Sequence, residues 1–177
     1  MQKRLLLNST HFEITISRLC CQLIENHNDF SDSVLVGLQP RGVFLAHRIQ
    51  ESLSKLSPKS GIQLGELDIT FYRDDFRRRE LNSPNKTRME FDIEDKRVIL
   101  IDDVLFTGRT IRSGMDALLD IGRPSKVELL VLVNRRYSRQ LPIEPDYIGI
   151  QVDTIRSEKV KVQWKETESE DAVWLLT

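Results

Sequence analysis

Apolar positions along the chain follow two periods, and their alternation outlines the fold. Between Ser9 and about Asn26, Ile16, Leu19, Leu23 and Ile24 recur at helical spacing, which predicts a helix capped by Ser9-Thr10. Val34-Leu35-Val36-Gly37-Leu38 is a short apolar run that reads as a strand, closed by the turn Gln39-Pro40-Arg41-Gly42. Phe44, Leu45, Ile49, Leu53 and Leu56 then return to helical spacing. Ile62 to Tyr72 alternates in part and predicts a long strand, whereas Arg73 to Arg88 is charged, contains Pro84 and has no period, as expected of a mobile excursion.

Val98-Ile99-Leu100-Ile101 is a β-branched run typical of a strand buried on both faces. The following helix carries Ile111, Met115, Leu118 and Leu119 on one face and stops at Gly122 and Pro124, and Val127 to Val133 is the next strand. Repeated strand, helix, strand order predicts an α/β fold, a central parallel twisted sheet with helices on both faces, whose ligands sit at the carboxyl ends of the strands. From about residue 147 to 177 the pattern shortens: Val160, Val162 and Trp164 alternate with lysines, and Val173-Trp174-Leu175-Leu176 follows an acidic turn. This stretch is expected to form a small C-terminal β element within one domain spanning 1–177.

A length of 177 residues suits one domain and buries about two-thirds of the unfolded surface. The charged fraction of 30% with a net charge of −1 describes an ordinary globular chain and gives no reason to invoke a nucleic-acid partner. Cys20 and Cys21 are adjacent on a helical pattern and cannot bridge the fold, which suits a reducing cytoplasm. No run of about 18 apolar residues occurs to span a membrane, and the apolar part of Met1 to Leu7 is too short for a signal peptide.

The chemistry concentrates between Val98 and Thr110, where a buried strand delivers Asp102 and Asp103 and then the turn Thr107-Gly108-Arg109-Thr110 opening a helix. A helix N-terminus has free N–H groups and a partial positive charge, and a glycine there lets the backbone approach an anion, so this turn suits a phosphate. Two carboxylates just before it are placed to accept hydrogen bonds from the hydroxyls of a sugar attached to that phosphate. A lone Asp-Asp pair reads equally as a helix cap or a metal-binding pair. A nucleoside triphosphatase would need a Gly-x-x-x-x-Gly-Lys-[Ser/Thr] loop, which the sequence lacks.

The complete string Val98 to Thr110 resembles the signature by which type I phosphoribosyltransferases bind 5-phosphoribosyl-1-pyrophosphate (PRPP). Gly65 to Asp75, Met115 to Pro124 and Ser157-Glu158-Lys159-Val160 narrow the resemblance to the PyrR family, pyrimidine-operon attenuators that are also uracil phosphoribosyltransferases. The resemblance implies transfer of the phosphoribosyl group to uracil, giving UMP and pyrophosphate, with Mg²⁺ as cofactor held indirectly by Asp102 and Asp103 through ribose hydroxyls and water. It implies pyrophosphate binding by Pro40-Arg41-Gly42, with proline in place of the family's usual threonine. It implies a flexible hood over about 73–90, with Tyr72 and Arg73 at its base and Arg73 catalytic beside Asp102 and Asp103. Val104, Leu105 and Phe106 line the PRPP site with Thr107 to Thr110, and Arg135 and Val160 lie near the base and pyrophosphate. Related proteins are dimers or higher homo-oligomers.

The same resemblance implies an alternative function, binding an mRNA leader as a uridine-nucleotide sensor with or without the enzymatic activity. Family members with that role carry a basic face built from the first helix and from positions around Pro142-Ile143-Glu144-Pro145-Asp146-Tyr147-Ile148-Gly149, and here the corresponding places hold Cys21, Glu144 and Ile150. Phosphate affinity scales with the number of cations, so these residues weaken RNA binding unless Arg135, Arg136 and Arg139 compensate. His11, His27 and His47 share no motif and are expected to serve surface or packing roles.

Overall fold

The computed structural model describes residues 2–58, 60–73, 86–155 and 157–177. The chain order is β1 (Lys3–Leu7), α1 (Ser9–His27), β2 (Ser33–Leu38), α2 (Gly42–Leu56), β3 (Leu64–Leu67), a 3₁₀ turn (Thr70–Tyr72), β4 (Arg97–Leu105), α3 (Arg109–Ile121), β5 (Lys126–Arg136), β6 (Tyr147–Asp153), β7 (Lys159–Gln163) and β8 (Ala172–Leu176). Five strands form a parallel sheet in the order β3-β2-β4-β5-β6. Alternate side chains serve its two faces: Leu35, Ile99, Ile101, Leu130 and Leu132 pack under α1 and α2, while Val34, Val36, Val98, Leu100 and Val131 pack against Ile111, Ala117 and Leu118 of α3.

The remaining strands form an antiparallel sheet in the order β1-β8-β7, so both ends of the chain build one small layer. Its Trp164 is fully buried and meets Phe12 of α1 edge-on, with ring centroids 5.2 Å apart. Arg48 of α2 lies over both rings and pairs with Asp171 and Glu166 at 2.7 Å, which fastens the layer to the helices.

Several expectations change. The predicted C-terminal element divides, because Tyr147–Asp153 is the fifth strand of the main sheet and only the segment after it joins the small one. Lys3–Leu7, to which the sequence assigned no element, is an edge strand paired with β8 at the far end of the chain. Asn8 caps α1, accepting the His11 N–H at 2.9 Å, while the Ser9 hydroxyl donates to the Asp171 carbonyl in the small sheet.

The strand expected over Ile62 to Tyr72 keeps only Leu64–Leu67, since the Asp68 carboxylate accepts the Thr70 hydroxyl at 2.7 Å and turns the chain locally. Leu119 is exposed rather than buried, because α3 meets the sheet through Gly114 and Leu118, and a Cβ at Gly114 would lie 2.9 Å from Leu38. His27 is buried beneath the amino ends of the strands, between the Ser33 hydroxyl and the Glu128 carboxylate, each at 2.9 Å. The excursion expected over 73–90 lies outside the described residues from 74 to 85.

Candidate active site

β4 runs through the acid pair to Leu105, so Asp102 and Asp103 lie within the strand at the carboxyl edge of the sheet, and both are buried. The Asp103 N–H donates to the Asp102 carboxylate at 2.9 Å. Burial, and then the charge of Asp103, push the Asp102 carboxyl well above the usual carboxylate range. Gly108 follows with φ 90°, a left-handed conformation that suits glycine, and places the N-terminus of α3 beside the acids. A cavity of about 270 Å³ opens there, walled by Arg73 and by every residue from Val104 to Thr110, with Ile111 and Ser113 completing it.

The loop joining β2 to α2 borders the acids from the side. The Gln39–Pro40 peptide is cis, and the Arg41 Nε donates to Asp103 at 2.8 Å while its Nη2 donates to the Val162 carbonyl of β7. Gly42 is required by contact: a Cβ there would sit 2.4 Å from the Ile101 carbonyl oxygen and 3.0 Å from the Asp102 Cα. The loop is thereby held against the acid strand.

Residues 139–141 brace the turn that opens α3. The Gln140 and Leu141 N–H groups donate to the Thr107 carbonyl, and Arg139 donates to the Phe106 carbonyl and, at 2.5 Å, to the Asn134 side chain. In the β2–α2 loop the Gln39 amide donates to the Lys86 carbonyl at 2.9 Å. These contacts join residues far apart in the chain and produce no local pattern.

Other expected site residues lie farther from the cavity. The Tyr72 hydroxyl donates to Asp120 at 2.7 Å, and Val160 packs against the apolar core beneath the small sheet. Arg135 is buried behind Phe106 with its guanidinium 3.8 Å from the ring centroid. No cluster of three or more His, Cys, Asp or Glu able to hold a metal occurs among the described residues. An ion beside the acid pair would be held through a ligand's oxygens and water rather than by the carboxylates alone, and hard cations accept oxygen donors of either origin.

On the surface formed by β5, β6 and the loop between them, Arg136 forms a two-pronged pair with Asp153 at 2.6 and 2.8 Å. Arg18 donates to the Ile148 and Gly149 carbonyls, and both Cys21 and Glu144 are exposed. On this face the Arg136 charge is thus paired within the chain, whereas Arg18 meets neutral carbonyls.

Residues 4–167 match the family model described as the phosphoribosyl transferase domain. The protein named bifunctional protein PyrR from Bacillus subtilis is 42% identical over 97% of this chain and 96% of its own length. Its namesake from Latilactobacillus sakei is 44% identical over 94% of each. Among solved structures, Trypanosoma cruzi hypoxanthine phosphoribosyl transferase superposes with a TM-score of 0.70 at 16% identity, covering 98% of this chain and 91% of its own. A hypoxanthine phosphoribosyltransferase from Staphylococcus aureus gives 0.66 at 18% identity, covering 85% and 78%. With the fold and near full-length likeness in agreement, the chain belongs to the PyrR family of phosphoribosyl transferase domain proteins.

Proposed function

We propose that the protein is a uracil phosphoribosyltransferase, converting PRPP and uracil to UMP and pyrophosphate. The observation that carries this reading is the joining of three anion- and sugar-reading parts at one sheet edge: the α3 N-terminus, the acid pair, and Arg41 beside Asp103. The 5-phosphate rests on the Thr107 to Thr110 turn, where free N–H groups and threonine hydroxyls supply donors. Asp102 and Asp103 accept the ribose hydroxyls, and Arg41 with the Pro40-Arg41-Gly42 loop takes the pyrophosphate.

A uracil ring nitrogen displaces pyrophosphate from C1, forming the C–N bond as the C–O bond breaks; the bonding pair leaves with the pyrophosphate oxygen, and the nitrogen's proton passes to pyrophosphate or solvent. Positive charge developing on the ribose ring is stabilised by the carboxylates beneath it, as in other glycosyl transfers. The same charge draws Asp102 toward its ionised form. Mg²⁺, the proposed cofactor, supplies charge neutralisation for the leaving group when bound with PRPP. Arg73, in the cavity wall, adds a second cation for the phosphates.

The test is steady-state formation of UMP from PRPP, Mg²⁺ and uracil, with hypoxanthine, guanine and orotate as competing acceptors. Turnover with uracil alone that is lost in Asp102→Asn/Asp103→Asn supports the reading; no turnover with any base sinks it. The relatives' printed name, bifunctional, favours a second role as a nucleotide-sensing RNA regulator. That role requires phosphate-facing cations, and the Arg136–Asp153 pair together with Glu144 reduces the positive field available. Salt-sensitive binding of a pyrimidine-leader RNA, strengthened by UMP, is the measurement that supports it.

A further inference from the structure

The loop Pro40-Arg41-Gly42 is gripped from both sides, because the sheet order places β2, which precedes it, between β4 and β3. Toward β4 the grip is Arg41 on Asp103 and Gly42 against the Ile101 carbonyl. Toward β3 it is Gln39, a buried polar residue whose main-chain N–H donates to the Leu67 carbonyl at 2.9 Å. Its side-chain amide nitrogen lies 2.9 Å from the Lys86 carbonyl oxygen and 3.4 Å from a Glu66 carboxylate oxygen. Both partners are acceptors, so this position calls for a donor.

Those two acceptors are themselves fixed. Glu66 lies on β3, the edge strand of the main sheet, and exchanges both main-chain hydrogen bonds with Arg88, at 2.9 and 2.8 Å. The nearby Asp68 N–H donates to the Thr87 hydroxyl at 3.2 Å, and Nε2 of His47 on α2 lies 2.9 Å from the other Glu66 carboxylate oxygen. Residues 86–88 are therefore laid along the sheet edge, and the Gln39 amide is a cross-tie between them and the loop assigned to pyrophosphate. Untied on that side, the loop keeps its contacts to the acid strand but can pivot on them. Such a pivot misplaces N–H groups and a guanidinium that must meet a diphosphate at hydrogen-bond distance.

We infer that Gln39 is a positioning residue for pyrophosphate: by donating to Lys86 and Glu66 it ties the Pro40-Arg41-Gly42 loop to residues 86–88, and it acts through the loop rather than on the ligand. This rests on the phosphoribosyl transfer proposed above. Four substitutions separate donation from mere bulk. Gln39→Lys supplies an ammonium able to serve both acceptors, and Gln39→Met fills the space without donating. Gln39→Glu sets a carboxylate against the Glu66 carboxylate and the Lys86 carbonyl, all of them acceptors. Gln39→Asn keeps an amide but holds it one methylene short of the Lys86 carbonyl.

The experiment is steady-state kinetics with PRPP, Mg²⁺ and uracil for wild type and the four variants, with thermal melts to confirm folding. Calorimetric titration of inorganic pyrophosphate in the presence of Mg²⁺ and amide hydrogen exchange read over 86–88 accompany it. Gln39→Met should raise the KM for PRPP and weaken pyrophosphate binding about tenfold, leave the KM for uracil within about threefold, and speed exchange of the Arg88 N–H. Gln39→Glu should exceed those losses, and Gln39→Lys should return the KM for PRPP and the pyrophosphate affinity to within about threefold of wild type. Gln39→Asn should match Gln39→Met, and it carries the test alone if the others do not fold. Wild-type constants in Gln39→Met or Gln39→Asn, an equal rise in both KM values, or Gln39→Lys no better than Gln39→Met overturns the inference. A wild type that turns over no base overturns the proposed transferase instead, and the pyrophosphate titration then decides the role of Gln39 by the same ranking.

Discussion

The Arg41 guanidinium sits 2.8 Å from the Asp103 carboxylate, so the cation assigned to pyrophosphate is held by the carboxylate assigned to ribose. The Arg41 side chain remains 45% exposed, which leaves it open to an incoming anion. Its other anchor is the Val162 carbonyl, so the small sheet built from both chain ends helps to aim Arg41 at the acid strand.

Arg41→Met should therefore impair PRPP more than uracil. Removing a charge-assisted contact to a diphosphate costs about 2 kcal/mol, or a rise in the KM for PRPP on the order of thirtyfold. Steady-state titration of PRPP at saturating uracil checks this, and an unchanged KM would remove Arg41 from the pyrophosphate site.

Gly42→Ala tests the close approach of the loop to the acid strand. The new methyl would lie 2.4 Å from the Ile101 carbonyl oxygen, inside any tolerated contact, and backbone on both sides resists movement. The loop must shift away from Asp102, and overpacking of this kind costs about 1 to 3 kcal/mol. A lower melting temperature with at least tenfold lower kcat/KM for PRPP is expected, whereas a variant with wild-type kinetics would show that the loop need not touch the acids.

The β2–α2 loop and the acid strand beside it differ in how much of their structure is local in the sequence. Val98 to Thr110 was legible because its chemistry is contiguous: one strand end, two acids and one helix start fall in a single string, and each cavity-lining residue from Val104 to Thr110 was named in advance. The strands β2, β4 and β5 were legible for the same local reason, as short continuous apolar runs buried on both faces. Arg139 bracing Phe106 and Arg135 stacked behind it were not, since each depends on which strands become neighbours. The β1 strand was hidden likewise, because its partner β8 lies at the opposite end of the chain. Local turn chemistry at Asp68 overrode the alternation that suggested a longer third strand.

Arg48 governs the docking of the small sheet. It joins Asp171, whose side chain is 8% exposed, to α2 while covering Phe12 and Trp164. Arg48→Met retains much of the packing but leaves a buried carboxylate without its cation, at a cost on the order of 3 kcal/mol. Urea unfolding should show that loss in the midpoint; Arg48→Met/Asp171→Asn should recover part of it, and failure to recover any would assign the effect to packing alone.

Acid should loosen the opposite end of the sheet first, at His27 and Glu128. Burial lowers the His27 pKa from 6.5, so the unfolded chain takes up that proton more readily and stability falls as pH drops through about 6.5. Burial alone would raise the Glu128 pKa, but Lys126, Tyr147 and Arg97 outweigh it and hold the carboxyl at about 2. Its contribution is present in full above the unfolded value of 4.5 and is lost as pH falls toward about 2. Urea midpoints should accordingly decline gently below pH 6.5 and steeply below 4.5. Glu128→Gln should start from a lower midpoint at neutral pH and lose the steep phase, and a variant that keeps the full acid decline would place its cause elsewhere in the protein.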